Sequence, residues 1–169
     1  MDWLSLARGA SRLWKRIRGI ERLGIRADWE LELYGEDGEL KDRRTFHNLI
    51  VNTGLDALKD RMFNPSTSQA LIGYIAVATG ATPETATDTA LVTEVVRQAL
   101  AYTPGAPGVC VVDTTFPASG GYEPAAITEA GMFDAAAAGT MFSRKTFAAV
   151  NKTTPDTLKV TVTLTITPV

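Results

Sequence analysis

The residues able to do chemistry are few and scattered. The chain holds one His, His47, and one Cys, Cys110. His47 stands beside Asn48 near a strand end, and no nucleophile is placed against it, so a structural role is expected. Cys110 lies between Val109 and Val111 with nothing basic beside it, the setting of a buried, inert thiol. One Cys and one His exclude an internal disulfide and a Cys/His metal site. Glu30, Glu32, Glu36, Asp37 and Glu39 are dense, but their spacing matches no calcium loop. A solvated hairpin with charged edges is the better reading. Glu94 and Arg97 would point to opposite faces of a regular strand, so their pairing is not implied by spacing. There is no phosphate loop, dinucleotide fingerprint, nucleophile elbow or paired-carboxylate spacing. The expectation is a non-enzymatic protein that takes no cofactor and no metal. A binding function of another class, a carbohydrate-binding module, would need Trp29, Tyr34, Tyr74, Tyr102 and Tyr122 exposed for stacking on sugars.

The other distinctive chemistry is charge. Residues 1–26 carry seven basic and two acidic groups, a balance of +5. The remainder carries ten basic and seventeen acidic groups, a balance of −7. The two parts are expected to face different surroundings. Within the basic part, Trp3, Leu6, Ala10, Leu13, Ile17 and Ile20 recur at spacings of three and four, widened by Leu4, Ala7 and Trp14. That periodicity predicts a helix over 2–23, with Asp2 as N-cap and Gly24 as stop. An isolated helix of this length is marginal in water, so its stripe needs a cover. The residues expected to carry docking are Trp3, Leu6, Leu13, Trp14, Ile17 and Ile20 on the apolar side, with Arg8, Arg12, Lys15 and Arg16 supplying charge. A membrane surface and nucleic acid are weaker alternatives for this segment. No apolar run approaches the ~20 residues of a membrane span. Arg8, Arg12, Lys15, Arg16 and Arg18 also break up any secretory signal.

These features need a scaffold, and the 169 residues suffice for one core domain plus an appendage. With 45% apolar and 21% charged residues, the chain reads as globular. From residue 27 the period becomes two: Trp29, Leu31 and Leu33 alternate with Glu30, Glu32 and Tyr34. Asp37-Gly38 signals a hairpin turn, and 40–51 offers the return strand. Asn52-Thr53 is expected to cap a short helix with Leu55, Leu58 and Met62 on one face, ended by Asn64-Pro65-Ser66. Strands follow at 71–79, 91–102 (with a helical turn as the competing reading), 109–116 and from 125 to 128. Gly120-Gly121 and Pro124 break the chain before the last of these, and 135–139 is a small-residue turn. The stretches 141–150 and 158–167 are expected to form a final pair. In the last, Leu158, Val160, Val162, Leu164 and Ile166 face one way and Lys159, Thr161, Thr163, Thr165 and Thr167 the other. The fold class expected is all-β, a β-sandwich or jelly roll over 27–169, with an N-terminal amphipathic helix in 1–26 and one short internal helix.

Several short motifs occur in an order that resembles the N-terminal domains of tailed-phage tail-collar and tail-fibre proteins. They are Asn48-Leu-Ile-Val-Asn-Thr-Gly-Leu55, Ile75-Ala-Val-Ala-Thr-Gly80, Thr89-Ala-Leu91 with Glu94 and Arg97, Ile127-Thr-Glu-Ala-Gly-Met-Phe133 and Ser143-Arg-Lys-Thr-Phe147. Together they span about residues 46–167. The resemblance implies a virion structural protein, assembled in the host cytoplasm, with other virion proteins of the tail, neck or capsid as partners. It also implies a homo-oligomer, with a trimer preferred, and no nucleic-acid partner. Such fibre proteins continue into a shaft and tip, whereas this chain stops at Val169. The expectation is therefore a short tail- or neck-associated fibre-type or adaptor protein. Capsid decoration or a head fibre is the alternative location.

Overall fold

The computed structural model describes residues 23–120, 123 and 125–168. The expected N-terminal helix and all ten of its docking residues lie outside these, as do Gly121, Tyr122 and Pro124. The described chain is mostly β, with ten strands in two antiparallel sheets and one helix. The strands are β1 Leu23–Tyr34, β2 Leu40–His47, β3 Leu49–Ile50, β4 Tyr74–Ala78, β5 Glu94–Ala99, β6 Ala101–Pro104, β7 Val109–Phe116, β8 Ala125–Phe133, β9 Met141–Lys152 and β10 Thr157–Pro168. Helix α1 spans Asn52–Phe63. One sheet runs β2-β1-β10-β7-β6 and the other β3-β9-β8-β4-β5, in a sandwich-like arrangement.

The period-two pattern produces the core. Trp29, Leu31 and Leu33 of β1 and Leu158, Val160 and Val162 of β10 meet Ile75, Val77, Ile127 and Met132 of the facing sheet. β1 and β10 pair along their whole length, from Leu23↔Pro168 to Tyr34↔Thr157. Residues 23–26, grouped by charge with the N-terminal segment, therefore belong to the sheet, because β10 offers them backbone partners. The hairpin turn forms as its residues dictate: Gly38 takes φ +78°, and the Gly38 N–H donates to the Gly35 carbonyl at 3.0 Å.

Three local expectations are corrected. The stretch 40–51 is not one strand. It breaks at Asn48, and its last residues, β3, pair with β9 in the other sheet. The predicted final pair does not pair at all: β9 lies beside β3 and β8, while β10 inserts between β1 and β7. The alternating faces of both strands satisfy either topology locally, and only the facing sheets decide between them. Finally, α1 begins without a side-chain cap from Asn52 or Thr53. Its N-cap is Val51, and the Thr53 hydroxyl donates instead to the Met141 carbonyl at 2.8 Å.

The middle of the second sheet, β4 and the second half of β8, is buried on both faces. Ile75 and Val77 of β4 face the other sheet, while Ala76 and Ala78 pack outward with Phe133, Met141 and Leu91. The cover on that side is the loop 79–93, which explains why β4 reads as an unbroken apolar run.

Candidate docking surface

On the outer face of the first sheet, cross-strand pairing Asp28↔His47 and Glu30↔Thr45 lines up polar side chains. A shallow depression of about 270 Å³ there includes Asp28, Glu30, Arg43, His47, Thr161 and Thr163. Its charges are already matched. His47 Nδ1 is 2.5 Å from Asp28 Oδ1, its Nε2 is 3.3 Å from Arg26 Nη2, and Arg43 pairs with Glu30. Both ring nitrogens of His47 thus have partners within the fold. The dense acids read as a charged, solvated hairpin, with Glu36, Asp37 and Glu39 exposed. Among the described residues, no group of three or more His, Cys, Asp or Glu side chains could hold a metal ion. Cys110 is half-buried on β7 opposite Leu164, and burial pushes its thiol above the usual range.

The most concentrated charge is internal. Arg144 of β9 and Glu129 of β8, both fully buried, are diagonal neighbours on paired strands, Arg144 standing opposite Gly131 and Glu129 opposite Thr146. Arg144 Nε donates to the Glu129 carboxylate, and its Nη1 donates to Asp88. Nη2 donates to the Thr82 carbonyl at 2.9 Å, and the Val92 N–H donates to Glu129 Oε2 at 3.1 Å. At the next residue along β9, Lys145 pairs with Glu84, whose other oxygen accepts from the Thr146 hydroxyl at 2.6 Å. Burial alone would raise the Glu84 pKa, but the Lys145 and Thr146 hydrogen bonds outweigh it and bring it down to about 2. These contacts fasten the loop to the sheet. Gly80 and Gly131 serve this packing rather than a turn. A Cβ on Gly80 would stand 2.3 Å from the Glu129 carboxylate, and one on Gly131 would stand 2.9 Å from the Ser143 carbonyl. The clasp was legible only as three charges, Glu129, Arg144 and Lys145, set into otherwise uncharged runs, Ile127–Phe133 and Met141–Phe147.

Glu94 and Arg97 do pair, against the regular alternation. β5 shifts register between Val96↔Val77 and Glu94↔Ala78, leaving Val95 as a bulge. The extra residue brings Glu94 and Arg97 to one face, where Arg97 Nη2 lies 2.7 Å from Glu94 Oε2. Arg97 Nη1 also donates to the carbonyls of Ala135 and Ala138.

Helix α1 carries three exposed large apolar side chains, Leu55, Met62 and Phe63. It packs inward through Gly54 and Ala57, not through the expected leucines. A Cβ on Gly54 would stand 2.1 Å from the Phe142 carbonyl oxygen, so only glycine permits this approach. Leu55, Leu58 and Met62 do share a face, but Leu55 and Met62 turn outward and only Leu58 is half-buried. Leu55 is 48%, Met62 56%, Phe63 76% and nearby Leu71 68% exposed. A groove of about 160 Å³ runs beside it, lined by Ala57, Leu58, Arg61, Leu71, Ile72 and Phe142. Tight helix-to-strand contact through small residues forces the large ones outward, a consequence that periodicity alone does not reveal.

The aromatic set for sugar stacking does not assemble. Trp29 is 1% exposed and belongs to the core, where it stacks 6.0 Å from Phe46. Tyr34 and Tyr74 are half-buried, and Tyr102 alone of the described set is open. No described helix is long and apolar enough to cross a membrane. No family model, no curated protein and no solved structure matches this chain.

Proposed function

We propose that the protein is a non-enzymatic structural component of a tailed-phage particle. In this reading it is a tail- or neck-associated fibre-type or adaptor protein that works by docking. The observation that carries the docking part is the exposed ridge of Leu55, Met62, Phe63 and Leu71 on a module whose buried charges are spent on internal pairs. An apolar ridge of this kind suits protein contact. The phage part rests on the order of the motifs between residues 46 and 167. Those motifs fall at structurally demanding points: Gly54 against Phe142, Gly80 against Glu129, and Arg144 in the clasp.

Partners in this reading are other virion proteins and further copies of the chain. Mass spectrometry of purified particles is expected to detect the protein, and its absence from them would overturn the proposal. A whole-particle density map then separates a tail or neck position from capsid decoration or a head fibre.

A further inference from the structure

We infer that the ridge on α1 is a contact between copies of this chain, in which the Phe63 ring of one copy enters the groove beside α1 of another. This rests on the reading of the ridge as a docking surface and names what docks there. It does not depend on a position in a virion.

Helix geometry sets the ring apart from its own domain. Phe63 is the last residue of α1. At about 100° per residue it stands about 180° from Gly54, the residue that seats the helix against Phe142. The ring therefore aims away from the module and is 76% exposed. Leu58, on the groove wall, lies about 140° around the helix from it, so Phe63 does not fill the groove of its own chain. That groove, of about 160 Å³, is walled by Ala57, Leu58, Leu71, Ile72 and Phe142. A cavity of ~150 Å³ with such walls accepts benzene, the size of the Phe63 ring. Arg61 stands at the rim, where it donates to the Gln69 carbonyl at 3.4 Å. A guanidinium there favours the face of an entering ring.

A second copy suits this face in shape, area and charge. Each copy carries both the ring and the groove, so identical surfaces satisfy each other. Leu55, Met62, Phe63 and Leu71 together expose roughly 500 Å², at ~200 Å² for a large side chain left bare. A standard interface takes about 800 Å² from each partner, a little over half of it apolar, so the ridge supplies the apolar share of one such contact. The charged residues of α1 are two acids, Asp56 and Asp60, and two bases, Lys59 and Arg61. Both acids are already held by Lys59. The face is therefore neutral: two copies meet on it without net repulsion, and a strongly charged partner gains nothing from it.

The test is sedimentation equilibrium of the full chain and two variants. The parent chain is expected to self-associate at micromolar concentration. Phe63→Ala removes the ring and should weaken association about 30-fold or more, with the β-sheet circular dichroism retained because the ring is exposed. Ala70→Trp, at an exposed residue of the groove, fills the groove from within the chain and should weaken association to a similar degree. An equimolar mixture of the two variants is expected to associate more tightly than either alone, because the ring of one meets the open groove of the other. A mixture no tighter than its components overturns the inference. Association indifferent to Phe63→Ala overturns it too, and moves the contact between copies to another surface without touching the oligomeric part of the proposed function. A full chain that stays monomeric overturns both, leaving the ridge to another protein or to a segment of the same chain. Presence in or absence from phage particles decides the virion reading without altering any of these outcomes.

Discussion

The Arg97 guanidinium lies 3.6 Å above the centre of the Phe133 ring. In the same pose it holds Glu94 with two hydrogen bonds, Nε to Oε1 at 2.9 Å and Nη2 to Oε2 at 2.7 Å. Its remaining nitrogen caps the carbonyls of Ala135 and Ala138, at 2.7 and 2.8 Å. One planar cation thus ties the β5 bulge to the turn between β8 and β9. Lysine supplies a point charge and cannot reproduce the fork or the stacking. Arg97→Lys is expected to cost about 2 kcal/mol, read from the urea midpoint, and to speed amide exchange in residues 134–140. An unchanged midpoint would show that the pose contributes nothing to stability.

The Glu129–Arg144 clasp predicts strong non-additivity. Arg144→Met leaves the Glu129 carboxylate buried and unpaired, which is expected to cost about 3–5 kcal/mol. Adding Glu129→Leu removes the orphaned charge, and the double variant should regain much of that loss. Denaturant unfolding of the two single variants and the double measures the coupling. Simple additivity would mean that the pair is not the unit described.

Acid should loosen the loop and the β9–β10 connection together. For Asp156, burial acts to raise the pKa, but hydrogen bonds from Lys41 and Thr153 outweigh it and lower it from 3.8 to about 2. Glu84 falls from 4.5 to about 2 in the same manner. A carboxylate with a depressed folded pKa contributes stability that is present above its unfolded pKa and is lost as pH falls through the folded one. The urea midpoint is therefore expected to hold steady down to about pH 4.5 and to fall between there and about pH 2. Glu84→Gln should lower stability at neutral pH and flatten the acid slope. An unaltered slope would remove Glu84 from the account.

Gly54→Ala tests how α1 is seated. The added carbon meets the Phe142 backbone, which cannot rotate away as a side chain would. A loss of about 1–3 kcal/mol is expected despite the better helix propensity of alanine. A stabilised variant, measured by thermal unfolding, would mean that α1 is free to shift.

Self-association is a separate expectation. Light scattering of the full chain at micromolar concentration should report an oligomer, with a trimer preferred. A monomer would remove the oligomeric part of the proposed function.

What the sequence determined by itself is whatever repeats locally. The alternation Leu158–Ile166 dictates a strand with one buried face and Leu55–Leu58–Met62 a helical stripe, because each follows from the two or 3.6 residues per turn of the backbone, and Asp37-Gly38 dictates a reversal because glycine adopts the positive φ the turn needs. Which side of a stripe is inward, and which strand lies beside which, depends on distant groups. Only the tertiary structure put β10 between β1 and β7, turned the α1 stripe outward and buried Trp29. The same holds for the clasp. Glu129 and Arg144 are fifteen residues apart, and Asp88 is fifty-six from Arg144. Neither separation is a motif. The three charges meet because the β8–β9 pairing and the loop above it close around them, where the low dielectric makes each partner necessary to the others.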